Sequence, residues 1–105
     1  MSETQSTVLT VGEFQLNLIK REVFRGGRRI ELQTKEFFLL EYFLRNPGRV
    51  ITKEEILEKI WNYNFDPDTN VVNVLICRLR FKLEKETEEK VIKTIRGVGF
   101  MFGVK

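Results

Sequence analysis

The stretch NVVNVLICRLRFKL, residues 70–83, decides the fold of this 105-residue chain. Successive residues of an α-helix point about 100° apart, so the stretch separates into two faces. The core face carries apolar side chains: Val72, Leu75, Ile76, Leu79 and Leu83. The outer face carries small polar, apolar and basic groups: Asn70, Asn73, Val74, Cys77, Arg78 and Phe81, with Arg80 and Lys82 on its flanks. The pattern predicts a helix over roughly residues 67–85 whose outer face differs from an ordinary solvated face of Glu and Lys.

A small sheet and two helices are predicted before this segment. Residues 8–32 alternate polar and apolar side chains around a Gly-Gly turn, which predicts an antiparallel sheet ending in a hairpin. The apolar run 34–46 predicts a buried helix, which Pro47 stops, and residues 49–51 an extended link. A capping box then starts the second helix, in which Thr52 accepts from a helical amide and Glu55 reaches back.

Residues 91–102 complete the fold with a predicted β-hairpin. Strand formers flank the turn Gly97-Val98-Gly99, and Arg96 lies at the tip. The order sheet, three helices, hairpin describes an α+β fold, a winged helix-turn-helix with an N-terminal antiparallel sheet and a C-terminal hairpin wing. Residues 1–7 are expected to be a linker remnant, and residues 8–105 to be one domain.

Composition and charge restrict the classes of function. The chain has no His and one Cys, Cys77, which excludes His-based catalysis, His-ligated metals and a disulfide within the chain. No catalytic set of side chains is apparent, so we expect neither an enzyme nor a cofactor. No membrane-spanning run or signal peptide is apparent, so we expect a cytoplasmic protein. The net charge is +3, of which residues 1–69 carry −1 and residues 70–105 carry +4, so the last third is predicted to meet a polyanion.

The outer face of the third helix has side chains suited to reading DNA bases. A helix in the major groove needs methyl groups for thymine and an Arg fork for guanine O6 and N7. Val74 supplies the first and Arg78 the second, while Asn70 and Asn73 are suited to reading adenine or binding phosphate. We therefore predict base contacts by these four residues.

Contacts to phosphates and to the minor groove are predicted beside this face. Arg80, Lys82, Thr52 and Lys53 suit phosphate binding, the last two at a helix N-terminus. Arg96 on the hairpin tip suits the neighbouring minor groove, where narrow A·T tracts attract Arg. The alternative for the basic flank of the third helix is an ordinary solvated surface, and the alternative for Arg96 is a surface charge on a hairpin. The order of helix face, capping box and Arg-tipped hairpin favours DNA binding.

Three segments resemble OmpR/PhoB-type winged-helix effector domains. KEFFLL (35–40) resembles the first-helix segment TEFxLL, VVNVLICRLRFKL (71–83) the recognition helix TVDVHIxRLRxKL, and TIRGVGF (94–100) the wing motif TVRGxGY. The resemblance covers nearly all of residues 9–104. It implies a DNA-binding transcription regulator of a bacterial two-component phosphorelay system, joined to an N-terminal receiver domain. It also implies that the isolated domain is a monomer, and that two domains bind in tandem to direct repeats in double-stranded DNA.

The resemblance also implies roles for individual residues. The positions that match DNA-contacting residues are Val74 and Arg78 for bases, Arg80, Trp61 and Thr94 for the backbone, and Arg96 for the minor groove. The loop between the second and third helices matches the segment through which such regulators touch RNA polymerase. Its residues here are Asn62, Tyr63, Asn64, Phe65, Asp66 and Asp68.

Five positions depart from the family pattern. Cys77 stands where Arg is common, and Asn70 where the residue is often basic. Phe100 replaces a Tyr and so lacks a hydroxyl that would hold a phosphate. Gln33 and Thr34 replace Thr-Pro, which leaves open which of the two caps the first helix. Fewer basic groups predict fewer phosphate contacts and a shallower salt dependence of DNA binding.

A second interpretation of the same residues is a protein-interaction module. A winged helix can use these surfaces for a partner protein, and Val74, Cys77 and Phe81 supply an apolar patch for it. Retention on DNA or heparin at low salt discriminates the two interpretations, because only a polyanion-binding surface is salt-sensitive.

Overall fold

The computed structural model describes residues 7–61, 70–84 and 90–103. The predicted start of the third helix near residue 67 and the predicted loop before it lie outside these residues. The described part has eleven elements, one of which is a π-helical turn. They are β1 (Val8–Val11), β2 (Phe14–Asn17), β3 (Glu22–Arg25), β4 (Arg28–Ile30), α1 (Thr34–Arg45), β5 (Val50–Thr52), α2 (Lys53–Ile56), the π-helical turn Leu57–Trp61, α3 (Asn70–Glu84), β6 (Ile92–Ile95) and β7 (Gly99–Phe102).

The N-terminal sheet confirms the strand prediction for residues 8–32. Its four strands are antiparallel and follow chain order, β1-β2-β3-β4. The alternation holds in space, since Phe14 and Leu16 are buried while Gln15 between them is exposed. One face of this sheet therefore closes the core, as the period of two requires.

The starts of the first two helices carry the side-chain caps that the sequence suggests. Gln33 is the N-cap of α1, and its backbone amide donates to Glu36 Oε1 over 2.8 Å. Thr52 caps α2 as predicted, because its hydroxyl accepts from the Glu55 amide over 3.1 Å. A backbone hydrogen bond from Thr52 is among the causes that lower the pKa of Glu55, which supports the predicted reach-back. The same carboxylate also accepts from the Tyr42 hydroxyl and the Arg49 guanidinium, two contacts that only folding creates.

The predicted hairpin belongs to a three-stranded sheet of order β5-β7-β6. Residues 49–51 were predicted as an extended link, but Val50–Thr52 is a strand paired antiparallel with β7. Thr52 lies opposite Gly99, so the strand ends where the second helix begins. The wing is therefore attached to the start of the helix-turn-helix by backbone hydrogen bonds.

A single core joins both sheets and the helices. The five residues predicted for the core face of α3 are all buried, which confirms the period of that helix. Phe102 of the wing packs edge-on against Phe14 of the first sheet, with ring centroids 5.4 Å apart. Phe43 of α1 approaches the same ring, at 6.3 Å. Within residues 7–61, 70–84 and 90–103, no helix has the length and apolar character needed to cross a bilayer.

Candidate nucleic-acid interface

The outer face of α3 is exposed over the whole described helix. Its side chains lie opposite the buried stripe, as the sequence predicts, and the exposed ones are Asn70, Val71, Asn73, Val74, Cys77, Arg78 and Phe81. No acidic residue lies between Asn70 and Leu83. The face is thus free of the negative charge that would repel a polyanion.

A groove runs between α3, the start of α2 and the wing. Its lining combines side chains from all three elements: Lys53, Glu54, Asn73, Ile76, Cys77, Arg80, Thr94, Ile95, Arg96, Gly97, Val98, Gly99 and Phe100. The groove brings five predicted site residues together, from segments up to 43 positions apart in the chain, Lys53 to Arg96. It also contains Glu54, an exposed carboxylate that sequence reasoning did not single out and that opposes anion binding at one edge.

Arg80 is held in this groove by the wing. Its Nη2 donates to Thr94 Oγ1 over 3.0 Å. Its Nε is buried and has no hydrogen-bond partner among the described residues. A buried donor without a partner is costly, so the packing of this side chain has to offset that cost. The guanidinium is therefore held in the groove by Thr94.

The tip of the wing presents Arg96 to solvent. The tip is closed by a bond of 2.9 Å from the Val98 amide to the Ile95 carbonyl. Gly97 adopts φ +74°, a left-handed conformation that favours glycine. Arg96 and Val98 are both exposed, so the tip offers one cation and one apolar side chain.

Lys82, predicted to bind phosphate, is paired within the protein. Its Nζ lies 2.7 Å from Oε1 of Glu36, which is 1% exposed. The second carboxylate oxygen, Oε2, is buried without a partner among the described residues. The ammonium group of Lys82 and the backbone amide of Gln33 therefore both compensate the buried carboxylate at the start of α1, and Lys82 is its ion-pair partner.

We expect Lys82→Met to lower the free energy of unfolding by about 1–2 kcal/mol, because Glu36 would remain buried without its counter-charge. Urea unfolding of the variant measures this loss. The matched control is the double variant Glu36→Gln/Lys82→Met, whose neutral amide needs no counter-charge, and it should recover part of the stability. Equal losses in the single and double variants would contradict the ion-pair explanation.

A second charged cluster joins α1 to α2. The Glu55 carboxylate accepts from Tyr42 and Arg49, and the guanidinium of Arg49 also donates to the Tyr42 hydroxyl over 3.2 Å. Burial alone would raise the pKa of Glu55, but the hydrogen bonds from Tyr42 and Arg49 outweigh it and lower that pKa. Burial and the neighbouring carboxylate raise the pKa of Tyr42. Glu55 thus stays ionised, and its stabilising contribution is present above the ordinary carboxyl pKa and lost as the pH falls below it.

The remaining predicted positions lie around this surface or outside the described residues. Trp61 is partly buried against the core, and Lys35 Nζ lies 5.9 Å from its ring centroid. Thr94 is exposed on the wing. The predicted RNA polymerase loop, residues 62–68, lies outside the described residues. Among the described residues, no group of three or more His, Cys, Asp or Glu side chains is placed to hold a metal ion.

Comparison with protein families identifies relatives of the chain. Residues 27–102 match the family model for the C-terminal part of transcriptional regulatory proteins. The chain is 46% identical over 94 residues to the transcriptional regulatory protein CusR of Escherichia coli, covering 90% of this chain and 41% of CusR. It is 43% identical over 96 residues to the response regulator MprA of Mycobacterium ulcerans, covering 91% and 41%. The chain therefore spans about two fifths of the length of these relatives.

Solved structures with the same fold include a DNA complex. The DNA-binding domain of Klebsiella pneumoniae RstA, solved in complex with the RstA box, superposes with a TM-score of 0.82 at 27% identity. That match covers 93% of this chain and 98% of the RstA chain. The response regulator DrrB, a Thermotoga maritima OmpR/PhoB homologue, gives a TM-score of 0.78 at 33% identity, covering 94% and 45%.

Proposed function

The chain belongs to the family of transcriptional regulatory protein C-terminal regions, the DNA-binding domains of OmpR/PhoB-type response regulators, and from this premise we propose how its own residues recognise double-stranded DNA. The third helix enters the major groove with its outer face toward the bases. The observation that carries this proposal is the exposed face of α3, free of acidic residues from Asn70 to Leu83 and bordered by a groove that also holds Lys53, Arg80 and Arg96.

Base reading is proposed for the exposed residues in the first two-thirds of α3. Arg78 extends from the outer face and suits bidentate hydrogen bonding to guanine. Val74, 48% exposed, suits contact with a thymine methyl. Asn70 and Asn73 lie on the same exposed side, nearer the start of the helix, and suit adenine or a phosphate.

Backbone contacts are proposed for the groove and the wing. Arg80 and Lys53 line the groove, and their cationic groups suit phosphate oxygens. Arg96 at the wing tip suits the adjacent minor groove. The other residues proposed to contact the DNA backbone are Thr52, Trp61, Thr94 and Lys82. Of these, Lys82 forms an ion pair with Glu36.

The full-length protein is proposed to act in the cytoplasm with an N-terminal receiver domain, because the relatives extend well beyond the matched region. The segment 62–68 is proposed to contact RNA polymerase, and two domains are proposed to bind direct repeats about one helical turn apart. The proposals of a receiver domain and of direct repeats rest on membership of the family. The proposal of a contact with RNA polymerase rests on the family and on the sequence of residues 62–68.

Selection of binding sites from random duplexes with the 105-residue chain tests the proposed function. We expect recovery of one sequence as a direct repeat, with affinity for it falling as salt rises, because phosphate contacts release counterions. Titration of the selected and a scrambled duplex at two salt concentrations supplies the comparison. Binding that is insensitive to both sequence and salt would overturn the proposal and favour a protein partner.

A further inference from the structure

Exposed apolar side chains are concentrated on the proposed DNA-binding side. Six large hydrophobic residues of the described part are exposed, and four of them lie on α3 or at the wing tip: Val71, Val74, Phe81 and Val98. The other two of these six are Val8, in β1, and Ile19, in the turn between β2 and β3. An apolar group on this side is therefore a feature of the interface rather than a scattered surface residue.

Phe81 is the largest and most exposed member of this group, at 67%. It follows Val74 by seven residues, so the two side chains point within about 20° of each other and lie roughly 10 Å apart along the helix axis. Cys77 is exposed between them along the helix axis and points to one side of the line that joins them. The exposed ring thus continues the line of residues proposed to face the bases, toward the end of the helix.

The charged residues around Phe81 restrict which kind of binding partner can cover its ring. Arg78 and Arg80 precede it, and Lys82, whose ammonium group is paired with Glu36, follows it, so basic residues flank the ring along the chain. Glu84, one turn further on, accepts from the Val91 amide. A partner that fits must carry negative charge with a small apolar group recessed between the charges. The major groove of DNA offers this arrangement, because phosphates border it and the C5-methyl of thymine is the apolar group that base pairs present there.

We propose that Phe81 contacts the C5-methyl of a thymine beside the base pair read by Arg78, on the side toward the C-terminus of α3. Phe81 lies about 4.5 Å beyond Arg78 along the axis, which is comparable to the rise of one base pair. Phe81 thereby adds one position to the sequence that the domain reads. This inference rests on the proposed function, since it requires α3 to lie in the major groove.

Replacing single thymines by deoxyuridine tests the contact, because the replacement removes only the methyl group. The probe is a duplex with one half-site of the selected sequence, in which each thymine is replaced in turn. We expect one replacement to weaken binding of the wild-type chain about threefold to fivefold. Phe81→Ala should weaken binding to the unmodified duplex by a similar factor and should no longer distinguish thymine from deoxyuridine at that position.

Two control variants separate this role from others. Phe81→Leu keeps an apolar group and should retain the preference for thymine. Ile19→Ala truncates an exposed apolar residue in the turn between β2 and β3 and should leave DNA binding unchanged. Equal loss by Phe81→Ala on the thymine and deoxyuridine duplexes would overturn the proposal, as would an effect confined to duplexes with two half-sites, which indicates a contact between protein copies. Failure of the wild-type chain to select any sequence would instead overturn the proposed function and this inference with it.

Discussion

Gly99→Ala is expected to lower the free energy of unfolding by about 3 kcal/mol or more, the largest effect of any substitution considered for this domain. A Cβ at this position would collide with the carbonyl oxygen of Ile51. It would also lie 2.8 Å from the carbonyl carbon of Ile51 and 2.9 Å from the Cα of Thr52. All three atoms are backbone atoms of β5, so no side-chain rotation relieves the collision. The two strands must separate, and the wing detaches from the start of α2.

Thermal unfolding followed by circular dichroism measures this effect, and a fall in Tm of roughly 15 °C is expected for a domain of this size. Gly97→Asn is the matched control, since it adds a side chain two residues away where a Cβ meets nothing within 4 Å. Asn tolerates the left-handed conformation there, so the control should lose no more than about 1 kcal/mol. A Gly99→Ala variant with wild-type stability would contradict the close approach of β5 and β7.

The second large effect is expected on DNA binding. Arg78→Ala should weaken binding to the selected duplex by about 1–3 kcal/mol and relax the preference at one base pair, because a bidentate contact to guanine is lost. Arg78 is exposed on the outer face of α3, so its truncation leaves the core intact. Titration of the selected duplex and of variants with each base pair exchanged measures both quantities.

Arg80→Ala is the comparison variant for Arg78→Ala in this experiment. Its guanidinium lies in the groove beside Thr94 and suits a phosphate, which carries no sequence information. Its loss should weaken binding to selected and scrambled duplexes alike and reduce the slope of affinity against salt by about 1. If the two variants lose affinity in the same way, the assignment of separate roles to Arg78 and Arg80 is wrong.

Local patterns in the sequence were sufficient for the features that depend on neighbouring residues. The period of α3 correctly separates a buried stripe from an exposed face, since a helix fixes the direction of each side chain. The alternation around Phe14 and Leu16 likewise predicts the buried face of the first sheet. Arg96 at the wing tip follows from the glycines that form its turn.

Features that join distant residues were not predictable in this way. The strand at Val50–Thr52 is three residues long and becomes a strand only through its pairing with β7. The ion pair of Lys82 with Glu36 spans 46 positions, and the bond from Arg80 to Thr94 spans 14. Each is created by packing, so the sequence gives the charges of Lys82 and Arg80 without their partners. For this reason sequence reasoning treated the two residues alike, whereas the structure distinguishes them.

Thr52 has a consequence for the entropy of DNA binding. It is at once the last residue of β5 and the cap of α2, and it lies opposite Gly99 of the hairpin that carries Arg96. The backbone of the wing is consequently ordered when the domain folds, before DNA is present. Immobilising flexible segments on association costs affinity, and we expect that cost to be confined to side chains such as Arg96 and Arg78. The spacing between the backbone of the helix proposed to enter the major groove and that of the hairpin tip proposed to reach the minor groove is then set before DNA binds.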